Sequence, residues 1–422
     1  MGKVRRITWQ RGVRSPLLIF LGLAIALVAN APFFVAAQPV NSVNPSTSPS
    51  QPAPPLTELR GVWLTNVDSD VLFSRAKLEQ AVQRLQRLNF NTIYPTIWNG
   101  GYTLYPSPTA ERVYGKAVEP IPEFQGRDML AEAVEIGHAK GLTVIPWFEY
   151  GLMADEGTDI VRQHPDWVTR RRDGSAVIVQ GDKKQHRLVY LNPARPEVRK
   201  MLVNFATEVV TKYNVDGIQF DDHFGVPVEF GYDDYTVALY QQHHNGKRPP
   251  NNPKDPEWTR WRTRLITNLL IEIFAAVKTN KPNCLISLSP NSKDFAYTNY
   301  LQNWSQWVRL GFVNEVVVQV YRYQLKDFLR EIDQPDLKEV RRKMPVGIGI
   351  LTGLRVRNVD IKQIASQVKA TRDRKFHGFS FFFYESLGDR DAAFQTMLPT
   401  PASRPNRRKI ATSGTDPSGQ GV

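Results

Sequence analysis

The chain has 422 residues, a single cysteine at Cys284 and a formal charge of +13, so an intrachain disulfide and a cysteine-based zinc cluster are excluded. The charge is uneven: five positive charges fall in the first 37 residues and a net three in 399–422, leaving five for everything between. Basic residues there are scattered apart from Arg170-Arg171-Arg172 and Arg341-Arg342-Lys343, and RNA-binding aromatic motifs and zinc-finger spacings are missing, so nucleic acid is not an expected partner.

In chain order, Lys3, Arg5, Arg6, Arg11 and Arg14 precede an apolar run over 16–28 and then Val35-Ala36-Ala37. That is the order of a signal peptide cut after Ala37, or of an uncleaved N-terminal anchor, over 1–37. Either places the bulk of the chain outside the cytoplasm, in the periplasm, the cell envelope or the medium, with membrane contact only through this segment. Residues 38–56 are rich in Pro, Ser, Asn and Gln and read as a disordered linker, and 399–422 as a disordered basic tail. The folded domain is expected over 57–398.

Within it, apolar or β-branched runs at 61–66, 92–98, 143–149, 215–221, 285–289, 315–321, 346–351 and 378–384 alternate with helical patterns. The helical stretches are 75–88, 127–140, 196–213, 256–279, 300–310, a short piece near Leu325, 360–374 and one near Ala392. Leu78, Val82, Leu85 and Leu88 recur at helical spacing in the first. Eight such units, without a Gly-rich phosphate loop after the first strand, predict an α/β fold: a (β/α)8 TIM barrel with long βα loops after strands 2, 3 and 4, at 99–125, 150–195 and 223–255.

In such a barrel the chemistry gathers at the carboxyl ends of the strands. The most informative of these is Val215-Asp216-Gly217-Ile218-Gln219-Phe220-Asp221-Asp222-His223, an apolar strand ending in adjacent acids. Reading the other strand ends adds Asn66, Trp98, Glu149, Asn291, Gln319, Tyr321, Tyr384 and Glu385. Acids, amides and aromatics together suit a carbohydrate, because ring faces stack on sugars while amides and carboxylates bind hydroxyls. Trp63, Trp147 and Phe381 are expected as barrel filling.

Several segments resemble the glycosyl hydrolase-like 10 family, in the family's order and over roughly 58–398. They are Arg60-Gly61-Val62-Trp63-Leu64, Leu191-Asn192-Pro193 followed by Pro196-Glu197-Val198-Arg199, the strand ending in Asp221-Asp222, and Ser289-Pro290. The resemblance implies an exported bacterial glycosidase-like barrel, with a bacterial glycan such as the amino-sugar backbone of the cell wall as substrate class and cell-wall association. Strand four is also similar, more distantly, to the Asp-Gly-Phe-Arg-x-Asp pattern of the α-amylase family, which implies that Asp221 is a nucleophile. Gln219 stands where that pattern has Arg and where the glycosyl hydrolase-like family commonly has His, and Glu149 stands where many of its members have Asn.

Two carboxyl groups, one ionised and one protonated, are the usual requirement for cleaving a glycosidic bond. Asp221 is the ionised candidate. Asp222, Glu149 or Glu385 could be its protonated partner, and regular strand alternation would make Asp221 and Asp222 diverge, leaving Asp222 to a sugar hydroxyl. Gln219 and His223 complete the expected binding set. No cofactor or metal is expected. The competing readings are a glycan-binding barrel without catalysis and a metal-dependent hydrolase or deacetylase using Asp222, His223, His243 and His244.

Overall fold

The computed structural model describes residues 56–180, 186–354 and 357–405, all of which lie in one compact unit. The expected signal segment 1–37, the linker up to residue 55 and the tail beyond 405 lie outside the described residues. Eight parallel strands form the centre. They are β1 (Leu59–Leu64), β2 (Thr92–Pro95), β3 in two pieces (Thr143–Val144 and Trp147–Phe148), β4 (Gly217–Asp221), β5 (Leu285–Ser289), β6 (Glu315–Gln319), β7 (Val346–Leu351) and β8 (Gly378–Phe382).

β3 closes the sheet into a barrel. Its first piece pairs with β2, Ile93 opposite Val144, and its second with β4, Gln219 opposite Trp147. The break falls at Pro146, which has no N–H to donate but whose carbonyl still accepts from the Gln219 amide at 2.8 Å. The strands elsewhere start or stop within a few residues of the sequence expectation.

The outer layer is α1 (Arg75–Arg87), α2 (Met129–Ala139), α3 (Pro196–Lys212), α4 (Pro256–Asn280), α5 (Trp304–Arg309), α6 (Leu325–Ile332), α7 (Ile361–Asp373) and α8 (Asp391–Met397). α1 begins where the Ser74 side chain accepts from the Lys77 amide at 3.2 Å and buries Leu78, Ala81, Val82 and Leu85 against the strands. The loops after β2, β3 and β4 are long, as expected. They carry a hairpin of Trp98–Asn99 with Tyr102–Thr103, a three-stranded antiparallel sheet of Met153–Asp155, Ile178–Gln180 and His186–Tyr190, and the helix Asp234–His243.

Inside the barrel, Trp63 and Tyr94 stack with centroids 5.5 Å apart, and Trp147 lies 6.2 Å from Trp63. Gly61 makes room for them, since a Cβ there would come 2.7 Å from the Tyr94 ring and 2.8 Å from Ser380 Oγ. Below runs a polar column. Trp63 Nε1 donates to Gln219 Oε1 (2.7 Å), Gln219 Nε2 to Ser287 Oγ (2.9 Å), and Ser287 Oγ and Tyr94 OH to Glu315 Oε1 (2.9 and 3.1 Å). Arg404 enters from the base, pairing with Glu315 Oε2 and donating from Nε to Thr92 Oγ1 at 3.2 Å.

That insertion corrects the expected disorder from 399 onward. Residues 399–405 are ordered, because Glu315 is buried and needs a cation, and because Ser403 exchanges backbone hydrogen bonds with Leu56 and Glu58. Arg404→Met should therefore cost about 3–5 kcal/mol in denaturant unfolding, the range for stranding one buried partner. Adding Glu315→Gln, which keeps the acceptor for Ser287 and Tyr94, should restore much of it. A neutral Arg404→Met would show that the pair contributes nothing.

Candidate active site

Alternation along β4 turns Gln219 and Asp221 into the barrel and Phe220 outward onto Phe148, with centroids 4.7 Å apart. Asp221 is 1% exposed and lies opposite Ser289 on β5. Its Oδ1 accepts the His223 backbone N–H at 2.9 Å, a local bond that turns the chain out of the strand. Its Oδ2 accepts from Trp147 Nε1 at 3.2 Å and lies 3.4 Å from His223 Nδ1.

Because the strand stops at Asp221, Asp222 does not follow the alternation, and the expected divergence of the two acids does not occur. Ligand atoms of Asp221, Asp222 and His223 all lie within 4.8 Å of one another. Asp222 is held from two strand ends, Oδ1 accepting from Gln319 Nε2 at 2.8 Å and Oδ2 from Asn291 Nδ2 at 2.9 Å. The amides expected to bind sugar thus orient an acid.

His223 Nδ1 lies 2.8 Å from the Glu149 carbonyl. A carbonyl only accepts, so Nδ1 carries a proton. Burial alone would lower the imidazole pKa, but the Asp222 and Asp221 charges more than offset this and raise it to about 10, which makes the ring cationic at neutral pH. For Asp221, burial raises the pKa, the His223 cation pulls it back and Asp222 pushes it up again. The outcome is about 7, against 3.8 for an ordinary aspartate.

Glu149 follows β3 and is buried, its Oε2 accepting from Thr65 Oγ1 (2.8 Å), Thr96 Oγ1 (2.8 Å) and Asn99 Nδ2 (2.7 Å). Burial raises its pKa against the pull of those three donors. It joins the ends of β1, β2 and β3.

Other expected residues lie elsewhere. Gln219 is fully buried below Asp221, with both ends of its amide committed to Trp63 and Ser287. Trp98 does not line the mouth. It starts the hairpin beyond β2, where its ring packs 5.1 Å from Phe205 of α3 and its Nε1 donates to Gly151 O at 3.0 Å. Tyr384 lies beyond the end of β8 in a single 3-10 turn, Tyr384–Leu387, and its ring meets Arg84 of α1 at 5.4 Å. Burial raises the Glu385 pKa, and its interactions are with Ser69, Asp70 and Val71 in the loop after β1. Asn66 is half-buried, and its Oδ1 has no partner among the described residues. Tyr321 does reach the site, stacked on Phe382 at 5.1 Å.

The sequence reading missed Tyr150, Tyr190 and Tyr300. Burial raises the pKa of each; the Asp221 and Asp222 charges add to this at Tyr190, Asp222 at Tyr300 and Glu149 at Tyr150. All keep their hydroxyl protons beside the acids. Trp63 fills the interior as expected, and Trp147 does so while also donating to Asp221. Alternation with Glu149 was the available signal for it. Phe381 does not fill the interior: alternation along β8 turns it outward, onto Phe90 and Phe394 of α8 with centroids 5.9 and 5.3 Å away, and it is Phe382 that meets Trp63 and Trp147 inside.

Among the described residues, Asp221, Asp222 and His223 form the one group spaced to hold a metal ion. The Nδ1 proton on the Glu149 carbonyl obstructs that nitrogen as a ligand. His244 is stacked on Tyr240 at 3.8 Å with Nδ1 on the Tyr240 carbonyl, and His243 meets Trp261.

A closed (β/α)8 barrel carrying a buried acid with a half-buried one beside it at the carboxyl end of β4 defines a glycoside hydrolase-like protein. The chain belongs to the glycosyl hydrolase-like 10 family, whose model matches residues 58–369. It is 25% identical over 364 residues to glycosyl hydrolase DigH of Escherichia coli K12, covering 73% of this chain and 75% of that protein. It is 24% identical over 296 residues to glycosyl hydrolase YngK of Bacillus subtilis 168, covering 63% and 54%. The glycoside hydrolase domain of PgaB (BpsB) from Bordetella bronchiseptica superposes with a TM-score of 0.59 at 11% identity, over 82% of this chain and 99% of that one. The catalytic domain of β-amylase from Paenibacillus polymyxa gives 0.55 at 9%, over 81% and 97%. At these identities the structural likeness concerns the fold.

A carboxyl with a folded-state pKa above its unfolded value stabilises the fold while protonated and loses that contribution as pH climbs from about 3.8 through about 7. Asp221→Asn fixes the neutral state. Its melting temperature should therefore gain on wild type across that window and hold its lead above it. A difference independent of pH would show that Asp221 is not perturbed.

Proposed function

We propose that the chain is a glycoside hydrolase that cleaves a bacterial envelope glycan, with the amino-sugar backbone of the cell wall as substrate class. The observation that carries this reading is a buried carboxyl, Asp221, titrating near neutrality beside a second acid gripped by two amides. A glycosidic oxygen needs a proton as its bond to the anomeric carbon breaks, and a carboxyl with a pKa near 7 is matched to giving one. Asp222 then faces the positive charge growing on the sugar ring, the leaving hydroxyl departs with the proton from Asp221, and a water adds to the anomeric carbon and returns a proton to Asp221.

This reverses the role implied by the α-amylase likeness, because burial favours a proton donor at Asp221 over a permanently ionised nucleophile. Spacing within 4.8 Å also falls short of the ~6.5 to 9.5 Å that an inverting pair leaves for a water. The tyrosine hydroxyls and the Tyr321 ring supply sugar contacts, and Glu149 braces the strand ends around them. The names of the curated relatives and the family support a carbohydrate substrate. The basic-then-apolar order of the first 37 residues supports action outside the cytoplasm.

The test is a glycan panel that includes cell-wall strands with and without peptide stems. Wild type should release products that Asp221→Asn releases roughly 10²- to 10⁴-fold more slowly, the usual contribution of a positioned acid. Wild-type turnover should fall as pH rises past about 7, where Asp221 loses its proton. Equal release by both proteins would remove Asp221 from the chemistry, and tight binding without turnover by either would make the barrel a glycan-binding module.

Turnover should also persist in excess chelator, since a carboxyl pair needs no Lewis acid. Loss of activity restored by zinc, with the fold intact, would move the reading to a metal-dependent hydrolase built on His223.

A further inference from the structure

The run Arg170-Arg171-Arg172 takes no part in the acid site. It sits on a tight turn, with Arg171 N donating to Ser175 O at 2.8 Å, Gly174 N to Arg171 O at 3.0 Å, and Gly174 at φ +83°. The Gly231 and Tyr232 amides, in the loop after β4, donate to Arg170 O at 3.1 and 2.9 Å. Between these segments opens a crevice of about 640 Å³, lined by the three arginines, Arg195, Tyr232 and Tyr235 among others. Its walls belong to the loops that follow β3 and β4, the strands that deliver Glu149 and Asp221.

Three of the four guanidiniums, those of Arg170, Arg171 and Arg195, are held in place. Arg171 Nη1 donates to Ser175 Oγ (3.2 Å) and Val177 O (3.1 Å), and its plane lies 4.4 Å from the Phe230 ring. Arg170 Nη1 donates to Gly174 O at 3.1 Å. Arg195 lies 4.3 Å from the Tyr235 ring, pairs with Asp166 at 3.1 Å and has a buried Nε with no partner among the described residues. None of Arg170, Arg171 and Arg172 is ion-paired to a carboxylate among the described residues. Asp166 and Asp233 also line the crevice, but Asp166 is paired with Arg195 and the Asp233 carboxylate is spent on Thr169, Asn192 and Thr236, which leaves Asp234 as the remaining acid. Guanidiniums held together by neutral acceptors keep their forks for an external oxyanion.

We propose that this crevice binds an oxyanion, a carboxylate or a phosphate, carried by the envelope polymer that the barrel acts on. The identity of that polymer rests on the proposed function; the anion site itself does not. Its ligand-facing groups are the Arg170 and Arg172 side chains, both exposed, with Arg171 and Arg195 set behind them.

The experiment measures binding by full-length Asp221→Asn protein, so that turnover cannot interfere. The probes are cell-wall glycan strands, the same strands with their carboxyls reduced, a phosphate-bearing wall polymer and inorganic phosphate. Affinity for at least one anionic polymer should exceed that for the reduced strands about tenfold and fall with salt, and whether the carboxylate or the phosphate probe binds more tightly identifies the source. Arg170→Gln with Arg172→Gln should erase that preference without changing melting temperature or turnover of a short neutral oligosaccharide in the Asp221 background. Arg172→Lys should restore charge but only part of the preference. Equal affinity for intact and reduced strands with no phosphate-polymer preference, or an unchanged preference in the double variant, would overturn the proposal. Failure of Asp221→Asn to impair hydrolysis would instead overturn the catalytic reading and leave the binding result standing.

Discussion

The interior of a closed parallel barrel is out of reach of bulk water, so each polar group placed there must be answered by another side chain. This constraint organises the molecule along its axis. Glu315 could not remain in the interior without Arg404, and it is Glu315 that receives Ser287 and Tyr94. Ser287 fixes Gln219, Gln219 fixes Trp63, and Trp63 packs against Trp147, whose indole donates to Asp221. The orientation of the buried acid is thus inherited, contact by contact, from a salt bridge at the far end of the barrel.

At the mouth the balance changes from satisfaction to competition. Burial opposes ionisation of Asp221, the His223 cation favours it, and Asp222 opposes it again. The result is a group near the middle of its titration, whereas Glu149, also buried, is bound by three donors on one oxygen and serves the strand ends. Two acids at neighbouring strand ends acquire different work from their surroundings alone.

The barrel was legible in the sequence because each strand buried on both faces needs a short unbroken apolar run, and each helix needs a stripe at a period of 3.6. Asp221, Asp222, Asn291, Gln319 and Tyr321 were legible for the same reason, since they sit where those runs end. Trp98 and Tyr384 were misplaced because the chain has already left the strand at those positions, so alternation no longer says where a ring points. Gln219 had the right face and the wrong depth. Tyr190 and Tyr300 lie on loop elements far from β4 in sequence, and Arg404 meets Glu315 across 89 residues, contacts no local pattern records.

The clasp at the base has a geometric corollary. Leu56 and Glu58 bond to Ser403, and Glu58 also holds Arg60 and Arg372, so the first and last described residues leave the barrel side by side from the amino-terminal ends of its strands. All eight strands run the same way, which puts that exit on the pole opposite the acids. Any attachment made through either end of the domain points the open mouth away from its mooring, and a fused partner or a solid support at either end would leave the path of an incoming chain clear.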